Sequence, residues 1–128
     1  MNKEDKELLL KDLSVRLTYK VICTDSRHGD SIITEIDIID ETVYCDDFDE
    51  YVGLEHCKQY LRPMSSMTEE ERKEYNEYLF HGASIGLMSN TETAYELIDW
   101  LNAHHFDYRG LIEKGLALEA PEGMYKTK

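Results

Sequence analysis

The sequence predicts an α+β fold, in which a small, curved, mostly antiparallel sheet in the N-terminal half is packed by helices from the C-terminal half. Apolar and polar residues alternate over 15–24 and again over 31–39, which is the period of half-buried strands. Over 92–104 the apolar residues instead follow the period of one helix face. From the number and length of the strands, we prefer an SH3-like barrel as the form of the sheet.

The N-terminal half begins with a predicted helix over 1–14, because Lys, Glu and Leu favour helices and its leucines share one side. Residues 15–53 are predicted to be β-rich. The turn-forming composition of 25–30 indicates that the first two strands form a hairpin. Shorter strands are predicted at 42–45 and from Tyr51 onward.

Residues 54–104 are predicted to be helical, in three successive helices. The first covers 54–61 and ends before Pro63, because proline disfavours the α conformation in the residue that precedes it. Thr68 and Glu71 have the spacing of a capping box, which predicts the start of the second helix.

The second helix, about 69–80, is expected to lie on the surface and to be followed by a loop over 81–90. In the third helix, Leu97, Ile98 and Leu101 form an apolar stripe that we expect to pack against the sheet. The expected partners of this stripe are Leu17, Val21, Ile36 and Ile38.

The last part of the chain is predicted to contain a turn and a short strand over 105–120, followed by a frayed tail over 121–128. The length fits one hydrophobic core, and no linker or repeat interrupts the sequence. We therefore expect residues 1–128 to form a single domain.

The strongest chemical feature of the sequence is its negative charge, since 27 acidic residues outnumber 14 Lys and Arg and give a formal net charge of −13. Eleven of these acids lie in residues 25–55, where Arg27 is the only Lys or Arg. Six of them are predicted to form a candidate interaction surface, which we call the acidic face: Glu35, Asp37, Asp46, Asp47, Asp49 and Glu50.

Two interpretations of these acids stay open. They are either a solvated sheet surface, as charge runs usually are, or a docking surface for a basic protein partner. Within the second interpretation, the acids of this chain would mimic the phosphates of a nucleic acid. The net charge disfavours binding to nucleic acid and to anionic membranes. The alternative function, a nucleic-acid-binding barrel, would use Lys11, Arg16 and Lys20 with Tyr19 available for stacking.

No catalytic constellation is found, so we expect a non-enzymatic protein. One run carries varied reactive side chains, but no nucleophile or oxyanion donor accompanies it. The run comprises His104, His105, Asp107, Tyr108 and Arg109. Its position at a helix end and the chance of an Asp107–Arg109 salt bridge favour a structural role.

No metal or cofactor site is predicted either. An EF-hand loop counted from Asp46 fails, because Tyr51 stands at the glycine position and Cys57 at the position of the bidentate Glu. A zinc site has enough candidate ligands, but no C-x₂-C pair is present. These candidates are Cys23, Cys45, His56 and Cys57. The glycine motifs of nucleotide-binding proteins, G-x-G-x-x-G and the P-loop, are also absent from the sequence.

The address predicted from the sequence is the cytoplasm. Residues 1–7 carry mixed charge, and the short leucine run that follows does not match the apolar region of a signal peptide. No apolar stretch approaches the roughly 20 residues of a membrane-spanning helix. The three cysteines, an odd number without close spacing, are expected to be reduced thiols.

Two segments resemble a known group of sequences. Residues 60–71 read YLRPMSSMTEEE, and residues 107–125 read DYRGLIEKGLALEAPEGMY. Together with ELLLKDL at residues 7–13, they are similar to small uncharacterised proteins from gut bacteria and their prophages. The resemblance implies a mobile-element origin and a cytoplasmic address, and it implies no activity. We therefore predict a non-enzymatic interaction or regulatory module that uses the acidic face.

Overall fold

The computed structural model describes residues 1–84 and 90–125, and it leaves the side chains of 81–84 and 90–93 undescribed. The α-helices of the described part are α1 (Lys3–Arg16), α2 (Glu69–Ser84) and α3 (Asn90–Ala103). Its strands are β1 (Ile22–Asp25), β2 (Gly29–Asp37), β3 (Thr42–Cys45), β4 (Val52–Gly53), β5 (Cys57–Leu61) and β6 (Ala117–Glu119). This confirms the predicted α+β class. In the same part of the chain, no helix has the length and apolar composition of a membrane span.

The six strands form one curved sheet in the order β4-β3-β2-β1-β5-β6. Every pairing is antiparallel except that of β5 with β6, which is parallel. The predicted hairpin is confirmed, since Ile22 pairs with Ile32 and Asp25 with Gly29. Among the described residues β4 and β6 do not pair with each other. The sheet is therefore open, and the SH3-like barrel that we preferred does not form.

The N-terminal strand predicted from Val15 is wrong at its start, because α1 continues to Arg16 and a 3₁₀ turn follows over Leu17–Tyr19. Four residues of α1 are buried at the helical spacing i, i+3, i+4 and i+7: Leu9, Asp12, Leu13 and Arg16. Two members of this inner face are charged, so a search for apolar periodicity ends the helix too early.

The helix predicted over 54–61 is also wrong. Residues Leu54–His56 form a 3₁₀ turn, and the remainder is β5, where Cys57, Gln59 and Leu61 are buried in alternation. In the sheet, β5 lies between β1 and β6. Backbone pairing on both sides therefore overrides the helix propensity of the local sequence.

The capping box of α2 is confirmed. The Thr68 hydroxyl accepts a hydrogen bond from the Glu71 amide at 3.1 Å, and the Glu71 carboxylate accepts one from the Thr68 amide at 2.9 Å. The helix continues to Ser84, which replaces the start of the loop predicted over 81–90. The rest of that loop up to residue 89 lies outside the described residues.

The core has two apolar clusters rather than the single contact expected between α3 and the sheet. In the sheet cluster, Leu9 and Leu13 of α1 pack with the inward side chains of the strands. The second cluster contains Trp100, Leu101 and Phe106, with two tyrosines of α2 against it. The packing partners of α3 therefore differ from those predicted from the sequence. Ile98 is 38% exposed and Ile38 is 66% exposed, so neither is a core residue.

A buried ion pair joins α1 to the rest of the molecule. Asp12 and Arg16 are both 0% exposed, and the Arg16 Nε donates to Asp12 Oδ2 at 2.7 Å. Gln59 of β5 donates to the same oxygen at 2.9 Å, and Arg109 Nε lies 3.2 Å from Asp12 Oδ1. Arg16 also donates to the carbonyl of Phe106 at 2.7 Å. Three separate parts of the chain meet at this pair.

The segment after β6 is anchored up to Tyr125, so the predicted frayed tail is wrong for residues 121–125. The Tyr125 hydroxyl accepts a hydrogen bond from the Ile22 amide at 2.7 Å and donates one to the Tyr60 carbonyl at 2.8 Å. Its ring stacks on that of His105 at a centroid distance of 3.6 Å. The last three residues of the predicted tail lie outside the described residues.

Leu101→Ala should lower the free energy of unfolding by about 2–5 kcal/mol, because Leu101 is 4% exposed and its truncation leaves a cavity beside Trp100. Ile98→Ala on the same helix is the control and should change it by less than about 1 kcal/mol. Urea unfolding followed by Trp100 fluorescence measures both values. Equal effects of the two substitutions would contradict this orientation of α3.

Candidate functional site

The six acids of the acidic face do not form one continuous cluster. Several of them are engaged separately, in hydrogen bonds with other groups of the same chain. The Tyr51 hydroxyl donates to Glu35 at 2.5 Å, and the Asp37 carboxylate accepts a hydrogen bond from the Asp40 amide at 2.9 Å. Asp49 is exposed on the connection between β3 and β4. The acids that share a cavity are found at the start of this connection.

That cavity is a depression of about 240 Å³ beside the β1–β2 hairpin, which we call the acidic depression. It is lined by Ile22, Asp30, Ser31, Ile32, Asp46, Asp47 and Met124. Three of these side chains carry carboxylates, and three are apolar. Ile22 and Ile32 are register partners on β1 and β2, and Asp46 follows β3 directly. The depression therefore combines an apolar surface with concentrated negative charge.

Glu50 belongs to a different group of contacts, around the turn between β1 and β2. The His28 Nδ1 lies 2.6 Å from Asp25 Oδ2, and this hydrogen bond lowers the pKa of the buried Asp25 carboxyl. Glu50 lies 3.4 Å from the other His28 nitrogen and 3.6 Å from Arg27. The His28 ring stacks on Phe48 at 4.6 Å. These contacts fix the turn against the connection after β3.

The run from His104 to Arg109 serves the fold. The Asp107 carboxylate accepts hydrogen bonds from the amides of Leu111 and Ile112 at 2.8 and 3.0 Å. Arg109 pairs with Asp12, so the Asp107–Arg109 salt bridge considered from the sequence is replaced by a different one. His104 Nδ1 lies 2.8 Å from the Trp100 carbonyl. The side chains of this run therefore stabilise a turn and the end of a helix.

His105 is a packed aromatic residue of this run. Its backbone has φ of +63°, and its ring is buried against Tyr125. Burial, followed by the charges of Arg16, Arg62 and His104, lowers the pKa of His105 to about 4. The imidazole is therefore neutral at neutral pH and packs as an uncharged ring.

A larger cavity of about 650 Å³ lies between the 62–68 segment and the chain after β6. Its one guanidinium, that of Arg62, is already occupied. Arg62 donates to both oxygens of Glu71 at 2.6 and 2.8 Å and lies over the Phe106 ring at 4.3 Å. The Arg62 guanidinium is therefore already paired and is not free to bind an anionic ligand in this cavity.

The three cysteines, which are far apart in the sequence, come together in the sheet cluster. Cys23, Cys45 and Cys57 are all buried, and their sulfur atoms lie within 4.8 Å of one another. His56, the fourth zinc candidate in the sequence, points away, with its side chain 67% exposed. All three cysteines hold inward positions of strands, but only the curvature of the sheet reveals that these positions converge.

Hydrogen bonds link the three thiols. The sulfurs of Cys23 and Cys45 are 2.8 Å apart. Bonds from Cys23 and then Cys57 lower the pKa of Cys45 below its usual value, whereas the bond to Cys45 raises the pKa of Cys23. The three thiols therefore form one interacting group.

One of the basic residues proposed for the alternative nucleic-acid-binding surface is not at the surface of the structure. Lys11 and Lys20 are exposed, but Arg16 is completely buried in its pair with Asp12. A fully buried guanidinium is not available to a phosphate backbone. Comparison with protein-family models, with curated proteins and with solved structures finds no significant match for this chain.

The Arg62–Glu71 pair makes the free energy of unfolding depend on pH in the acidic range. Hydrogen bonds from Arg62 hold the pKa of Glu71 at about 2, below its ordinary value of 4.5, although burial opposes this change. The pair therefore stabilises the fold fully above pH 4.5 and loses its contribution as the pH falls toward 2. The difference corresponds to about 3 kcal/mol.

We therefore expect Glu71→Gln to be less stable than the natural chain near neutral pH, with a gap that closes as the pH falls below 4.5. Urea unfolding across this pH range measures the gap. Glu70→Gln, at the exposed neighbouring position, should show no such closing. A gap for Glu71→Gln that is independent of pH would be evidence against the role of the ionised pair.

Proposed function

We propose that this chain is a non-enzymatic protein-interaction or regulatory module, which binds a basic segment of a partner protein through the acidic face and the acidic depression. The observation that carries the proposal is the acidic depression, where three carboxylates and three apolar side chains line one cavity of about 240 Å³. The two sets of side chains suit different parts of the same ligand.

A lysine or arginine side chain has the matching chemistry. Its methylene stem packs on apolar surface while its charged end stays at a polar boundary. Ile22, Ile32 and Met124 supply the apolar contact, and Asp30, Asp46 and Asp47 supply acceptors for charge-assisted hydrogen bonds.

The charge of the whole chain supports the same partner. A formal net charge of −13 attracts a basic ligand over a distance and raises its rate of association. Glu35 and Glu50 are engaged with Tyr51 and with the Arg27–His28 turn, so they contribute to the field around the depression. The specific contacts in this proposal belong to the depression.

We also propose the cytoplasmic setting and the mobile-element origin that the resemblance of residues 60–71 and 107–125 implies. The peptide segments of a host protein are partners of the required chemistry in that setting. The nucleic-acid alternative is not retained, since Arg16 is buried and the charge is strongly negative.

The triple variant Asp30→Asn, Asp46→Asn and Asp47→Asn should bind a synthetic oligo-arginine peptide about tenfold more weakly than the natural chain. The loss follows from removing the acceptors while the apolar lining stays in place. Fluorescence anisotropy of the labelled peptide measures the affinity, and the difference should shrink at high salt because the contact is electrostatic.

The matched control is Glu69→Gln, Glu70→Gln and Glu74→Gln, which removes the same charge from exposed positions on α2. It should retain most of the affinity. Equal weakening by both triple variants would mean that only net charge matters, and an unchanged affinity of the depression variant would also overturn the proposal.

A further inference from the structure

The three cysteines reach one point from strands that are not all neighbours. Cys23 lies on β1, Cys45 ends β3 and Cys57 begins β5. In the sheet order, β2 separates β3 from β1, and β1 separates β2 from β5. Their side chains meet only because the sheet curves around its inner face. The result is three sulfur atoms within 4.8 Å of one another.

We propose that Cys23, Cys45 and Cys57 form a closed trithiolate site for one soft metal ion, Cu⁺ or Zn²⁺. Thiolate sulfur is the ligand type that selects these ions in proteins. Metal–sulfur bonds of about 2.3 Å hold three sulfurs about 3.8–4.0 Å apart. The observed distances, from 2.8 Å for the Cys23–Cys45 pair up to 4.8 Å, bracket this spacing.

A disulfide between Cys23 and Cys45 is the competing chemistry at this position. Their sulfurs are 2.8 Å apart, so a disulfide would draw them together to about 2.05 Å, whereas a shared metal ion would move them apart by about 1 Å. The third sulfur distinguishes the two, because Cys57 has a role in a metal site and none in a Cys23–Cys45 disulfide.

The surroundings favour a low coordination number. Asp25 stands opposite Cys57 in the β1–β5 register, but its Oδ2 is held by His28 at 2.6 Å. The described residues that bring ligand atoms together here are the three cysteines alone. Three sulfurs can complete the shell of Cu⁺, whereas structural Zn²⁺ takes four ligands and would need a further oxygen.

Access to the site is from the Cys57 side. Cys23 and Cys45 are 0% exposed, whereas Cys57 is 8% exposed and follows the exposed residues Glu55 and His56. An entering ion therefore meets Cys57 first. The ion would lie inside the sheet cluster rather than in the acidic depression, and the cysteine variants leave the carboxylates of the depression in place. The proposed site and the proposed function can therefore be tested separately.

The test is an anaerobic titration of the reduced full-length chain with Cu⁺ and, separately, with Zn²⁺, each against a chromophoric competitor. We expect one ion per chain, a sulfur-to-metal charge-transfer band with Cu⁺, and protection of all three thiols from iodoacetamide. The ratio of the two affinities identifies the ion.

Cys23→Ala, Cys45→Ala and Cys57→Ala should each weaken binding by roughly 100-fold, since each removes one of three ligands. His56→Ala is the matched control and should bind as the natural chain does, because His56 points away from the thiols. Circular dichroism checks that each variant folds, and the thiol-protection experiment on the natural chain stands even if a variant does not.

Three results would overturn the proposal. The first is equal alkylation of the thiols with and without metal, and the second is loss of binding in His56→Ala. The third is quantitative formation of a Cys23–Cys45 disulfide in air by the folded chain, which would assign the pair to redox chemistry instead.

Discussion

The buried pair of Asp12 and Arg16 is the interaction on which the arrangement of the molecule depends. Its partners come from β5 through Gln59 and from the segment after α3 through Phe106 and Arg109. Breaking one side of a buried pair leaves an uncompensated charge, which typically costs about 3–5 kcal/mol. The pair therefore fixes the position of α1 relative to both apolar clusters, and it specifies one arrangement where leucine packing alone would tolerate several.

Much of the secondary structure follows from local signals in the sequence. The β1–β2 hairpin and the Thr68–Glu71 capping box are set by residues close together in the chain, and both are confirmed. The errors arise where distant contacts decide. Arg16 is helical because its charge is satisfied by Asp12 inside the protein, and β5 is a strand because β1 and β6 pair with it. Neither partner can be identified from the local sequence.

The candidate sites show the same division. The acids after β3 could be predicted as an exposed cluster, because four of five consecutive residues over 46–50 carry negative charge. Their meeting with Ile22 and Met124 could not, since it depends on how the end of the chain folds back over the sheet. The three cysteines have no spacing motif, and their convergence results from sheet curvature. Spacing along the sequence carries no information about that curvature.

The shortness of the two outer strands has a consequence for how this protein meets others. β4 has two residues and β6 has three, so each edge of the sheet offers only a few unpaired backbone groups. Partners that bind by adding a strand need a long, accessible edge as a template. Short edges of this kind also discourage amyloid-like stacking between copies. A partner of this fold would therefore be recognised through side-chain contacts, by its charge and shape, rather than through backbone pairing at a sheet edge.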